Sequence, residues 1–492
     1  KGQQTMNPKL LIRPFIANLP TKQLPRQLSS YGKVDDIFVS KLSSLCETTV
    51  NKDVRYLHGN DESSTKAIPP DIVAFPNETA AVQGIVKLCS EYKVPIIPYG
   101  AGTSLEGHIT ALHGGVSLDM SNMDAILEVN MEDMDARVEA GVRRLRFNDS
   151  IRSNGLAFMV DPGADASLGG MVACGASGTA AVRYGTMRES ILGLTVVDAN
   201  GDVINMGSRA RKSSAGYDLT RLFIGSEGTL GVITEVQTRL HPLPTSVTAA
   251  VCAFDTLHDA ASAATLILQM GIPIARCELM DKTTISAFNS YAKDVPDMEV
   301  SPHLFLEFHG PSPGIVEEQA YLAGTACEEF KGHGFNYASS ESERKLLWAA
   351  RHNTYYAACA LGKPESRGVI TDVCVPISRL ADVMEATAID VEKSNVIGPM
   401  FGHAGDGNFH CILIVNDEDT PEYTAAVKGV SERLIAATLA VGGTCTGEHG
   451  VGSGKKKYLI DQYGTEGLST MKTLKKTLDP LNIFNPGKVF DL

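Results

Sequence analysis

Val94-Pro95-Ile96-Ile97-Pro98-Tyr99-Gly100-Ala101-Gly102-Thr103-Ser104-Leu105 runs a short apolar strand, 94–98, straight into a loop of small side chains. Such a loop lets backbone N–H groups close in on an anion such as a pyrophosphate. The stretch before it, 77–93, has the spacing of an amphipathic helix, with Ala81, Ile85, Val86, Leu88 and Cys89 on one face and Asn77 placed to cap it. One loop of this kind says little. Further on, Asp161 to Gly170 runs into Ala173 to Gly178 and then Tyr184-Gly185, and Ile224 to Gly231 precedes a strand predicted for 232–238. An interior glycine costs about 0.5–1 kcal/mol against alanine, so three such segments read as the lining of an extended dinucleotide. None has the Gly-x-Gly-x-x-Gly spacing between strand and helix, which sets aside the usual nicotinamide fold.

Pro242-Leu243-Pro244 marks a boundary. Beyond it short strands (247–254, 275–280, 304–309, 369–375) alternate with helices (257–270, 314–331, 342–360, 378–392), the pattern of an α+β domain with helices on an antiparallel sheet. Near its end, Gly402-His403-Ala404-Gly405-Asp406-Gly407-Asn408-Phe409-His410 places two imidazoles around a glycine turn, between strands predicted for 397–401 and 410–415. A later Glu448-His449 pair can complete them. Two His and a carboxylate with open positions form a ligand set for a catalytic divalent metal, Zn or Mn by donor type, with His449 left beside it as a base. Either His alone reads as well as a hydrogen-bonded structural residue.

The chain has 492 residues, enough for two or three domains, with 43% hydrophobic and 21% charged residues. No apolar run reaches the roughly 18 residues of a membrane span. A net charge of −13 with no basic stripe argues against nucleic acid. Ten scattered cysteines without a Cys-x-x-Cys pair suggest reduced thiols, Cys89, Cys252 and Cys374 as core residues. Lys1, Lys9, Arg13, Lys22, Arg26 and Lys33 precede the first acid, Asp35, a bias typical of an organellar transit segment, though a loosely docked basic arm would look the same.

In order along the chain, PYGAGTSLEG, VDPGADASLGG, AVRYGTMR, AGYDLTRLFIGSEGTLGVIT, GHAGDGNFH, CTGEHG and DPLNIFNPGK resemble the flavoproteins of the vanillyl-alcohol oxidase type. Within them the likeness is to the FAD-linked D-2-hydroxy-acid dehydrogenases, the cytochrome-linked D-lactate dehydrogenases above all. The resemblance implies an α+β chain: an N-terminal segment (1–66, transit remnant then helical arm), an FAD-binding domain (67–243), an inserted substrate domain on an antiparallel sheet (244–445), and a C-terminal stretch (446–492) returning to the flavin side. It implies FAD lined by Pro98, Gly100, Ala101, Gly102, Thr103, Ser104, Leu105, Asp161, Pro162, Gly163, Ala166, Ser167, Gly169, Gly170, Ala173, Gly175, Ser177, Gly178, Tyr184, Glu227, Gly228, Gly231, Ile233 and Asn485. Some relatives tether flavin through a His in the first loop; Thr103 and Ser104 stand there, so FAD is expected to be noncovalent, with His108 just beyond.

By the same likeness His403, His410 and Glu448 hold the metal, His449 is the base, and Arg351 binds the substrate carboxylate. Relatives acting on 2-hydroxyglutarate carry Asn where Ile412 stands, and an apolar residue would leave a second carboxylate unpaired at about a few kcal/mol. The expected reaction is therefore oxidation of a monocarboxylate, D-lactate to pyruvate, in mitochondria, with cytochrome c as an electron acceptor and no membrane span. Glycolate or D-2-hydroxyglutarate oxidation is the nearest alternative. A metallohydrolase using only the His/His/Glu cluster, or a flavin-holding module without turnover, stands further off.

Overall fold

The computed structural model describes residues 31–492 apart from 293–295 and 339. Most of the basic stretch read as a transit segment, up to residue 30, lies outside the described residues. The first half builds two sheets. Strands Ile72–Phe75, Val116–Asp119 and Ile96–Tyr99 lie parallel in that spatial order, and Glu47–Thr49 pairs antiparallel at the edge. Helix Thr79–Tyr92 buries the predicted face, Ala81, Ile85, Val86, Leu88 and Cys89, the last four in one core with the strands Ile72–Phe75, Ile96–Tyr99 and Val116–Asp119. Its cap position is Glu78, which makes no side-chain capping bond, so Asn77 stands one place too early to meet the free N–H groups. A second, antiparallel sheet follows the order Ile126–Asn130, Asp135–Glu139, Val232–Arg239, Ile191–Val197, Val203–Gly207.

The C-terminus is tied to this half. Ile96 N–H donates to Ile483 O (2.7 Å), Asn485 N–H donates to Ile96 O (2.8 Å), and Ile483 and Phe484 are fully buried in its core. Lys475 anchors the turn by donating to Thr229 O (2.7 Å), Phe484 O (2.8 Å) and Asp479.

The other half is one antiparallel sheet, in the order His333–Ala338, Ser246–Ala253, His303–Gly310, Ile274–Met280, Met400–His403, Asn408–Val415, Arg367–Ile370, with Val373–Cys374 also on Asn408–Val415. Alternation sorts its side chains. Cys277, Leu279, Phe409, Cys411 and Leu413 share a core with Ala263, Ala320, Leu380 and Leu434 of the long helices. On the opposite face Met280, Phe305, Phe401, Ile412 and Ile414 pack with Trp348 and Ala358. The single helix expected over 342–360 is two, Glu341–His352 and Thr354–Cys359, with non-helical Asn353 between them; asparagine tends to leave a helix for local hydrogen bonds. The strand expected over 369–375 breaks at Thr371-Asp372. Helix Pro421–Ala440 and the helical stretch Leu459–Leu478, kinked at Gly464 (φ 69°), occupy a region that sequence patterning had left unassigned. All ten cysteines are free thiols, Cys89 and Cys252 buried and Cys374 half-buried.

Candidate active site

Sheet register places the metal-binding candidates. The hairpin pairs Phe401 with His410 and His403 with Asn408, so Phe401, His403 and His410 share one face. Its turn needs Gly407, at φ 84°, where any Cβ would strike the Val375 carbonyl. Across the adjacent strand Glu278 lies opposite His403. The later turn then delivers Glu448, whose Oε1 stands 3.2 Å from His403 Nε2 and 3.3 Å from His410 Nε2.

The two rings are oriented from behind. His403 Nδ1 meets Glu278 Oε1 at 2.6 Å, and His410 Nδ1 meets Thr371 O at 3.0 Å. Each thus engages an acceptor with one nitrogen and turns Nε2 toward Glu448, the arrangement that imidazole ligands of metals adopt. One atom each of His403, His410 and Glu448 lies within 4.8 Å of the others, so the donor set fits a divalent ion. Asp372, His410 and His449 also meet that distance. Asp372 is already saturated, however: Oδ2 accepts from Thr446 Oγ1 (2.6 Å) and from the Gly447, Glu448 and His449 amides (2.8, 3.0 and 2.9 Å), and Oδ1 from Asn408 Nδ2 (2.8 Å).

Electrostatics follows the burial. Against the cost of burial, Glu278 and then Glu448 raise His403 well above the usual imidazole range. Burial likewise opposes, but His403 and His410 outweigh it and hold Glu448 well below the carboxylate range. Burial pushes His449 down to about 4 against the pull of Asp372, with His410 and Lys455 adding to the drop. His449 stacks on His410 with centroids 5.1 Å apart and planes 10° from parallel, and its Nδ1 has no hydrogen-bond partner.

Arg351 reaches the same face. Its Nε lies 2.6 Å from Glu278 Oε2 and its guanidinium sits over the Phe401 ring, 4.5 Å from the centroid. Glu278 and Asp372 escaped sequence reasoning. Each is a lone acid in or beside an apolar strand, and that oddity is the one signal that marks them.

The expected flavin-lining segments form one continuous wall. A Cβ on Gly100 would strike Ser167, one on Gly178 would meet Asp161 at 2.5 Å, and one on Gly228 would meet Pro98 at 3.0 Å, while Gly169 packs on Ala140. A Cβ on Gly175 would lie 3.5 Å from Gly225 Cα. Gly163 and Gly225 face open space, and the run Gly100–Leu105 is half-buried. Small residues at approaches this close, beside the open space at Gly163 and Gly225, suit an extended dinucleotide, so these residues fit FAD. Ala101, Gly102, Pro162, Ala166, Gly170, Ala173 and Ser177 lie along the same segments, and Gly231 and buried Ile233 at the strand that follows.

Several side chains on the expected list are committed elsewhere. Ser104 Oγ donates to Asp61 (2.9 Å), Tyr184 Oη meets His309 Nδ1 (2.7 Å), and Asp161 binds Thr179 (2.7 Å) and Arg276 (3.0 Å). Glu227 accepts from the Val451 and Gly452 amides, and Asn485 Nδ2 donates to His108 O and Glu227 O. His108 is buried, 3.4 Å from Glu227, rather than open to a flavin.

A wall of small-residue loops that fits FAD, joined to an antiparallel sheet that presents two His and one Glu together, points to a class. Residues 70–207 match an FAD binding domain and 243–489 the C-terminal domain of FAD linked oxidases. The chain belongs to the FAD-linked oxidases and is an FAD-dependent oxidoreductase. It is 47% identical over 447 residues to "probable D-lactate dehydrogenase, mitochondrial" of Danio rerio, covering 90% of this chain and 89% of that one. It is 44% identical to "D-lactate dehydrogenase [cytochrome], mitochondrial" of Arabidopsis thaliana, covering 93% and 81%. The fold is that of the vanillyl-alcohol oxidase type: the structure of 4-ethylphenol oxidase from Gulosibacter chungangensis superposes with a TM-score of 0.72 at 19% identity, over 92% of this chain and 96% of that one.

Proposed function

We propose that the protein oxidises D-2-hydroxy monocarboxylates, D-lactate foremost, to 2-oxo acids, assisted by a divalent metal, and passes the electrons to an acceptor such as cytochrome c in mitochondria. One observation carries the chemistry: two imidazole Nε2 atoms and a Glu448 oxygen converge beside Arg351 on a single sheet face. The names of the relatives support the substrate, the acceptor and the compartment.

Noncovalent FAD supplies the hydride acceptor, and Zn²⁺ or Mn²⁺ at His403, His410 and Glu448 supplies a Lewis acid for the substrate oxygen. Arg351, steadied by Glu278, orients the substrate by its carboxylate. His449 takes the hydroxyl proton: burial keeps it uncharged near pH 7, at some cost in basicity, and its Nδ1 has no hydrogen-bond partner. Trp348, Phe401 and Ile412 put apolar side chains on that face, and Arg276, its nearby cation, is already paired with Asp161 and Glu307 at 3.0 Å, which suits a small hydrocarbon side chain rather than a second carboxylate. The test is an anaerobic titration of the visible spectrum. D-Lactate is expected to bleach the flavin and L-lactate to leave it oxidised. Faster bleaching by glycolate or D-2-hydroxyglutarate would replace the substrate, and no bleaching by any of the acids would refute the reading.

A further inference from the structure

The residues proposed as ligand and base, Glu448 and His449, sit on a segment, 446–452, that has neither helix nor strand to hold it. Buried carboxylates from the two halves of the molecule take that role. Asp372, fully enclosed on the substrate sheet, gathers the Thr446 hydroxyl and the Gly447, Glu448 and His449 amides at 2.6–3.0 Å, and through Asn408 Nδ2 (2.8 Å) it ties them to the hairpin that bears His403 and His410. Glu227, from the flavin-side loop, accepts the next two available amides, Val451 on Oε1 (2.6 Å) and Gly452 on Oε2 (2.8 Å). Between the two sets lies Gly450 at φ 83°, where a Cβ would meet both His108 and Glu227.

We infer that Asp372 and Glu227 are a pair of positioning residues that clasp the 446–452 turn from opposite sides, Asp372 setting Glu448 and His449 against the metal-binding hairpin and Glu227 setting the same turn against the flavin wall. The inference rests on the proposed roles of Glu448 and His449. Each carboxylate uses both oxygens to accept, so an amide replacement turns an N–H₂ group onto an N–H donor in either orientation. Asp372→Asn and Glu227→Gln therefore disturb the clasp while nearly preserving volume. Their effects should divide according to the half each belongs to.

The experiment uses the FAD-loaded protein, titrated with Zn²⁺ or Mn²⁺ against a competing fluorescent chelator, and stopped-flow flavin reduction by saturating D-lactate. Asp372→Asn is expected to weaken metal binding at least tenfold with unchanged FAD content. Glu227→Gln is expected to keep metal affinity within threefold of wild type and to slow flavin reduction at least tenfold. Should either variant not fold, Thr446→Val, which removes one donor from Asp372, or Glu227→Asp, which keeps the charge but falls short of both amides, carries the same test at a twofold or larger effect. Wild-type metal affinity in the Asp372 or Thr446 variant, or wild-type reduction in the Glu227 variants, overturns the clasp. Wild-type protein that binds neither ion refutes the metal reading instead, and the reduction rates then decide: both variants slowed supports the clasp, either unslowed overturns it.

Discussion

Replacing Glu278 by glutamine should weaken metal binding in a pH-dependent way. Glu278 has no exposed surface and takes two hydrogen bonds at 2.6 Å, from His403 Nδ1 and from Arg351 Nε. Hydrogen bonds to a charged group contribute about 1.5–3 kcal/mol each, which puts roughly 3–6 kcal/mol in play. Glutamine keeps one carbonyl oxygen and turns an N–H₂ toward the other donor, so about half of that should be lost from folding stability. For the metal, losing the group that orients a ligating imidazole typically weakens affinity by about 10- to 100-fold.

The pH dependence has a definite sign. In the wild type Glu278 and Glu448 outweigh burial and raise His403 well above the ordinary imidazole range. Below that raised value an incoming ion must displace a proton, so wild-type affinity falls as pH falls. The substitution lowers His403 toward its ordinary value and relieves this competition. The deficit of Glu278→Gln should therefore be largest near pH 8 and shrink toward pH 6. Chelator competition titrations at pH 6, 7 and 8 measure it. Arg351 loses its anchor at the same time, so KM for D-lactate should rise, and kcat/KM should fall by up to about 100-fold if the guanidinium shifts by as much as 1 Å. A variant with wild-type affinity at pH 8 and wild-type KM would refute the argument that Glu278 organises both His403 and Arg351.

Chelation should abolish D-lactate oxidation and leave the flavin spectrum in place, because none of the metal candidates belongs to the small-residue wall; full activity in protein shown metal-free by elemental analysis would contradict this. His410→Ala should lose metal and activity together, whereas His449→Ala should keep metal and FAD while turnover drops by roughly 10²- to 10⁴-fold; equal metal loss in the two, or near-normal turnover in the second, would remove His449 as base. Acid precipitation should release FAD into the supernatant, since Thr103 and Ser104 offer no tether and His108 is buried against Glu227; colour retained in the pellet would show a covalent link.

The sequence by itself determined what depends on near neighbours. Short apolar runs were enough to read most strands of the antiparallel sheet, and the glycine turn between His403 and His410 announced a hairpin with one ring at each end, because strand composition and a tight turn act within a few residues; that both rings share a face came from the register. The small-residue loops were legible for the same reason: a glycine's missing side chain is a local fact. Glu278 was not legible as a partner, since its strand meets that of His403 only by sheet pairing across 125 positions. Asp372 read as part of a strand, yet its carboxylate is claimed by amides more than 70 residues away. Glu227 was placed by resemblance on the flavin, while tertiary packing turns its carboxylate to Val451 and Gly452. Which acid satisfies which buried donor is settled only when distant segments leave water together, because an unpaired polar group becomes expensive only there.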